Sequence, residues 1–314
     1  MGVGSFMLAP HLVHTRNAAE NMVMTVKMPV EPYTMGKTLT HEHLFSNFGA
    51  APEIAHLFDE EKLYNQVIPY LQKVKSLGCD TIVDCTTAYF GRRVDILYEI
   101  SNKTGLSIIT NTGYYGAAND KYIPPHAYSD NVNGIAEVWI NEFKNGIDNS
   151  GIKPGFIKIG IDKGTLSEID AKLVRAGAIA HRKTGLVMAV HTGNNAEAAE
   201  KQLLILKEEN VHPGAWIWTH ANKVINAEPL VSAAKKGAWI SLDGIRDKES
   251  QMHHLNLLNK LKDNNLLNHV LLSHDGNGFP SGKEIRSFHA LFTEFIALLT
   301  KHGYTSEEIK PSTE

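Results

Sequence analysis

Thr38-Leu39-Thr40-His41-Glu42-His43-Leu44 is the stretch on which the reading of this chain turns. A β-branched and apolar run ends in two histidines one residue apart, and on an extended strand residues i and i+2 point to the same side. Two imidazoles presented in that way can share one metal ion, whereas the same pair on a helix would diverge. Runs of the same kind recur at 80–86, 107–112, 155–161, 186–192, 215–220, 238–243 and 270–274. Most are continuously apolar or β-branched without polar alternation, the pattern of parallel strands covered on both faces.

Between these runs lie segments of helical period, at 59–76, 93–104, 132–147, 167–184, 196–209, 227–236 and 251–264. Several stop at a glycine just before the next strand, namely Gly78, Gly105, Gly185 and Gly237, as expected of residues that end a helix. With a last helix over 287–302, the alternation predicts an α/β protein built as a single-domain (β/α)8 (TIM) barrel. The expected division is an N-terminal leader over 1–28 and a barrel over 29–314. A doubly wound open sheet is the runner-up, but no Gly-rich phosphate fingerprint follows the first strand.

A chain of 314 residues suits one large core, and no internal linker interrupts it. The net charge of -3, with scattered Lys and Arg, leaves no basic stripe. Nucleic acid and an anionic membrane surface are therefore not the expected partners, and a small-molecule substrate is. Cys79 and Cys85 lie in or beside one strand and read as buried thiols, not as a disulfide framework. No segment approaches the ~18 apolar residues of a membrane span, and the N-terminal stretch has no unbroken signal-like core. The default compartment is cytoplasmic; a leader removed before this chain begins would make it periplasmic.

In a barrel of this kind the active site lies at the C-terminal ends of the strands. That is where His41 and His43 fall on the first strand, Lys158 on the fourth, His191 on the fifth, His220 on the sixth and Asp275 just past the eighth. In a chain with 16 His, one strand-end histidine is more commonly a hydrogen-bonded core or surface residue. Several in register, together with a strand lysine, point to a metal centre.

The same segments carry a resemblance. Thr38 to Leu44, then Lys153-Pro154-Gly155-Phe156-Ile157-Lys158-Ile159, Val190-His191-Thr192-Gly193, Thr219-His220-Ala221 and Leu272-Ser273-His274-Asp275 resemble the phosphotriesterase family of the amidohydrolase superfamily, over about residues 24–309. The resemblance implies two divalent metal ions. One would be held by His41, His43 and Asp275 and the other by His191 and His220, with Lys158, N-carboxylated by carbon dioxide, bridging both. An ammonium between two cations would be repelled, whereas the carbamate is an anionic oxygen donor. The alternatives for this lysine are an ion pair between Lys158 and Asp162, or the modified role falling to Lys163. Nitrogen and oxygen donors without thiolate suit zinc first, with manganese, iron or cobalt as alternatives.

The implied reaction is hydrolysis of a lactone or other carboxylic ester by a hydroxide shared between the metals, with Asp275 passing the proton to the leaving group. Phosphotriester hydrolysis, an amidohydrolase or deaminase reaction and a noncatalytic barrel scaffold are the alternatives. Two departures bear on the choice. The residue after the seventh-strand Leu242-Asp243 is Gly244, where relatives carry His or Arg, and the run His220-Ala221-Asn222-Lys223 lacks the acidic residue of the phosphotriesterases. Arg246 and Lys223 are then candidates to bind an anionic group on the substrate. In the loop after the third strand, Tyr115 resembles the tyrosine that faces the reacting centre in lactonases, with Tyr114 as its competitor. The segment 277–283 has the Gly, Pro and Ser content of a lid. Trp216, Trp218 and Trp239 are expected to fill the interior or its helix interface, and a homodimer is implied by the resemblance.

Overall fold

The computed structural model describes residues 22–280 and 283–309. Strands β1 (Val23–Met24) and β2 (Pro29–Val30) form a small antiparallel pair. The remaining strands are β3 (Thr38–His43), β4 (Thr81–Asp84), β5 (Ser107–Ile109), β6 (Asn111–Thr112), β7 (Phe156–Gly160), β8 (Met188–His191), β9 (Trp216–Thr219), β10 (Trp239–Leu242), β11 (Val270–Leu272) and β12 (Gly276–Asn277). They make two parallel sheets, ordered β11-β10-β9-β8-β7-β6 and β12-β3-β4-β5. The expected third and eighth strands each divide between the sheets: Thr110 separates β5 from β6, and residues 273–275 separate β11 from β12.

Helices α1 (Glu60–Ser76), α2 (Val94–Thr104), α3 (His126–Ser129), α4 (Val132–Asn145), α5 (Glu168–Thr184), α6 (Ala196–Glu208), α7 (Glu228–Lys235), α8 (Lys248–Asp263), α9 (Ile296–Lys301) and α10 (Ser306–Ile309) fill the intervals. Their ends follow local chemistry. Side chains of Asp59, Asn131, Ser167 and Asp247 accept from backbone N–H groups in the first turns of α1, α4, α5 and α8. Gly105 and Gly185 close α2 and α5 in the left-handed conformation that a side chain disfavours. Helix α8 starts ahead of the expected 251 because Asp247 caps it there.

The expected last helix over 287–302 is shorter and begins as a π-turn at Leu291–Phe295 before continuing as α9. The cause is visible at its start, where the Leu291 N–H donates to the His274 ring at 3.0 Å. The expected domain boundary at 28 falls inside the β1–β2 pair, which is tied to the body by the Val26 N–H donating to the Ile108 carbonyl at 2.8 Å. Residues 1–21 of the expected leader, residues 281–282 of the expected lid and residues 310–314 lie outside those described.

The core runs between the sheets and helices, with Leu39, Ile82, Ile108, Ile157, Val190 and Ile240 fully buried. Each such side chain contributes roughly 1.5–3 kcal/mol by leaving water. Trp216 and Trp218 are also buried, and their indole N–H groups donate to Gln202 Oε1 and the Gly193 carbonyl. Trp239 is partly buried against His269. Cys79 and Cys85 are buried free thiols. Among the described residues no helix is long and apolar enough to cross a membrane.

Candidate metal centre

Parallel strands deliver the donors to one place. His41 and His43 leave the end of β3 on either side of Glu42, Lys158 stands mid-strand in β7, His191 ends β8, and His220 and Asp275 follow β9 and β11. Donor atoms of His41, His43 and Asp275 all lie within 4.8 Å of one another, as do those of His41, His220 and Asp243. Asp275 Oδ1 is 3.7 Å from His41 Nε2 and 3.5 Å from His43 Nε2. The His191 ring packs on His220 with centroids 4.4 Å apart, and His220 on His41 at 4.8 Å. The six donors named by the sequence therefore share one pocket, a cavity of about 290 Å³.

Lys158 gives the clearest test of whether this set suits metal ions. Its side chain is buried, its Nζ lies 3.5 Å from His41 Nε2, and among the described residues no carboxylate pairs with it. A buried ammonium without a counter-ion is costly, so the site is better matched to an anionic lysine adduct among cations. Asp162, the competing partner, instead accepts from the Asn119 N–H, and Lys163 is exposed and absent from the pocket lining.

Two buried carboxylates hold the donors in place. Asp243 Oδ2 accepts from the His220 N–H at 2.8 Å and lies 3.1 Å and 3.3 Å from the Nδ1 atoms of His41 and His220. The His41 approach is not an aligned hydrogen bond and leaves Nδ1 without a hydrogen-bond partner among the described residues. Glu42, pointing away from its two histidine neighbours, accepts from Ser273 Oγ, the His274 N–H, His274 Nδ1 and the Gly276 N–H. These contacts meet a backbone need. His220 and Asp275 have φ of 58° and 52°, a left-handed conformation costing a non-glycine residue about 1–3 kcal/mol unless its surroundings impose it. Asp243 secures the first of these turns, and Glu42 grips both sides of the second.

Burial, helped by the Lys158 charge, pulls His41 down to about 3. Burial also takes His191 well below the ordinary histidine range, with His220 and Lys158 adding to the effect. Both rings are therefore neutral near pH 7, the form that binds a metal. Burial alone would raise the carboxyls of Asp243 and Asp275. Contacts with His41 and His220 around Asp243, and with His43 beside Asp275, outweigh it and hold both well below the usual range.

The walls differ in character. Phe48, Phe90 and Tyr115 form an edge-to-face aromatic side, with centroids 5.2–6.0 Å apart. The Tyr115 hydroxyl lies 3.0 Å from His191 Nδ1, and burial raises its pKa so that it stays protonated. Tyr114 turns elsewhere, to His126 and Trp139. Lys223 lines the pocket, whereas Arg246 does not; its guanidinium is 3.9 Å from Asp275 Oδ2 and 3.4 Å from the His274 carbonyl. Gly244 has φ of 90° and presents no side chain there.

Sequence reasoning missed Glu42 and Asp243 as positioning residues and Arg286 as a pocket cation. The first two were legible as charged residues on apolar strands, a costly placement that calls for partners. Nothing local marked Arg286. A second cavity of about 580 Å³ is lined mainly by apolar chains such as Val23, Ile109, Phe156 and Ile217, and the chemistry gathers in the smaller one.

The family model of the Phosphotriesterase family matches residues 21–311. The chain is 29% identical over 219 residues to the aryldialkylphosphatase of Saccharolobus solfataricus, covering 69% of this chain and 68% of the relative. It is 26% identical over 280 residues to the phosphotriesterase homology protein of Escherichia coli strain K12, covering 87% and 94%. It is 30% identical over 251 residues to the N-acetyltaurine hydrolase of Xenopus tropicalis, covering 70% and 71%.

Proposed function

The chain belongs to the phosphotriesterase family, whose members are metal-dependent hydrolases, and from that premise we propose that it opens a lactone or cleaves another carboxylic ester at a two-metal centre. The observation that carries the reading is the convergence of His41, His43, His191, His220 and Asp275 around the buried Lys158, which forms no ion pair among the described residues. In this reading His41, His43 and Asp275 would hold one ion and His191 and His220 the other, with Lys158, as its carbamate, the anionic oxygen donor between them. Zinc is the favoured metal. Bound there, the ions would supply an activated water and an electrophilic seat for the carbonyl oxygen. The same reading joins the two sheets into one (β/α)8 barrel, since Thr110 carries the chain from β5 to β6 and residues 273–275 carry it from β11 to β12.

The protein's own groups do the rest. Asp275 Oδ1 faces the two imidazoles while Oδ2 faces outward, so the carboxylate can take a proton from the attacking water and return it to the leaving alkoxide. Tyr115, kept protonated, offers a hydroxyl beside His191 to orient the ester. Gly244 supplies no side chain to extend a proton relay, which disfavours a phosphotriester and suits a lactone, whose leaving group stays tethered beside the acid. Amide cleavage is the second reading, favoured by the relative named as an N-acetyltaurine hydrolase.

Elemental analysis of protein purified without chelator, native mass measurement and turnover of matched lactones, amides and phosphotriesters test the proposal. Two ions per chain, a carbon dioxide adduct and fastest turnover of a lactone are expected. One ion or none after reconstitution, or faster cleavage of the amide or phosphotriester, would overturn it.

A further inference from the structure

The pocket mouth carries cationic chemistry that the hydrolytic reading leaves unused. Arg286 is brought to it by a two-bond antiparallel bridge: the Asn277 N–H donates to the Arg286 carbonyl at 2.7 Å, and the Arg286 N–H returns to the Asn277 carbonyl at 3.0 Å. This bridge hangs Arg286 directly on β12, whose partner is the histidine-bearing strand β3. Its guanidinium Nη1 lies 3.6 Å from Asp275 Oδ2, beyond hydrogen-bonding reach, and its side chain makes no hydrogen bond among the described residues. The planar fork of donors is thus fixed at its base and unspent at its tip. Lys223, in the turn after β9, lines the same pocket and has no carboxylate within 4.0 Å among the described residues.

Carboxylates do not balance this charge. The pocket lining contains Asp275 and Glu284 against Lys223, Lys283 and Arg286, and Asp275 is committed to the reacting centre. Across the lining, Phe48 and Phe90 present ring faces and edges with no polar atom. A neutral, wholly apolar ester would leave Lys223 without a carboxylate among the described residues and Arg286 with only its long contact to Asp275. A ligand carrying an anion would pair them and lay its remaining carbon skeleton along the rings.

We propose that the substrate bears a carboxylate, phosphate or sulfonate, held at the pocket mouth by the Arg286 fork with Lys223 beside it, while its hydrolysable group reaches the histidines. The inference rests on the hydrolase reading for the second half of that statement only; the anion site stands on the lining itself. Arg286 and Lys223 are specificity residues in this account, acting on binding more than on bond cleavage.

Two measurements separate the halves. Calorimetric titration of the metal-loaded protein with glutarate and with butyrate compares a dicarboxylate, able to span centre and mouth, with a monocarboxylate of similar length. Glutarate should bind about tenfold or more tightly, and Arg286→Gln should remove most of that advantage, with Arg286→Lys retaining part of it. Equal binding of the two acids, or an advantage unaltered in Arg286→Gln, would overturn the anion site whether or not the protein turns over esters. For turnover, a lactone bearing a carboxylate is compared with its methyl ester. The ratio of their kcat/KM values should fall about tenfold or more in Arg286→Gln, chiefly through KM of the charged lactone. A ratio that does not move would overturn the specificity role. Absence of lactone turnover with the glutarate advantage intact would overturn the hydrolase reading and leave the anion site standing.

Discussion

The floor of the pocket and its rim are built by opposite means. On the floor, His41, His220 and Lys158 are buried, and the turns that aim His220 and Asp275 are gripped by the fully buried carboxylates of Asp243 and Glu42. At the rim, Arg246 and Arg286 have side chains 45% exposed and approach Asp275 only to 3.9 Å and 3.6 Å. The contrast teaches a division of labour. The candidate metal donors are over-determined by charged hydrogen bonds in a dry interior, while the charges proposed to sort ligands stay solvated and adjustable. Changes to the floor should therefore act on whether chemistry occurs, and changes to the rim on which ligand is taken.

The largest expected break comes from Lys158→Ala. Removing the central buried side chain should cost both metal ions together and lower kcat/KM by about a thousandfold or more, followed by elemental analysis and turnover. Retention of both ions would take Lys158 out of the centre. Glu42→Gln keeps the shape but sets an amide NH2 against a ring of donors that met a carboxylate. A loss of about 2–4 kcal/mol in urea unfolding is expected, with weaker metal retention. Unchanged stability would show that the turn at Asp275 is held by other contacts.

Asp243→Asn should be gentler on the fold yet reduce metal affinity or turnover by about 10–100-fold, as outer partners of ligating histidines commonly do. Tyr115→Phe removes one hydroxyl and leaves the ring packed on Phe48 and Phe90, so a kcat lower by about tenfold with metal content unchanged is the expected outcome. The smallest effect belongs to Lys163→Ala: an exposed lysine outside the pocket should change stability by no more than about 0.5 kcal/mol and leave metal content as it was. Loss of an ion in that variant would reopen the choice between the two lysines.

Much of the floor was legible from local pattern. The His-x-His spacing, the Phe-Ile-Lys-Ile run and the order of strand-end histidines named the six donors that the structure gathers in one pocket. The strand and helix intervals were also close, because apolar runs and terminal glycines are local signals. What slipped was set by distant contacts. The third and eighth strands divide where the chain passes between sheets, and the last helix starts late because the Leu291 N–H is spent on His274. Arg246, chosen for its nearness to the seventh strand, rests against Asp275 and His274 outside the lining, while Arg286 reaches the pocket through its bridge to Asn277.

Local sequence carried the donor types and their order along parallel strands, and the motifs built on them carried the resemblance to a family of metal-dependent hydrolases. Strand periodicity fixes which residues share a side, and that information is carried by neighbours in the chain. Long-range packing, by contrast, sets Glu42 on the Asp275 turn, Asp243 beside two histidines, Tyr115 and not Tyr114 against His191, and Arg286 at the mouth. Each of those outcomes depends on backbone pairings and ring packing between segments far apart in sequence, where direction is set by three-dimensional closure and no local period records it.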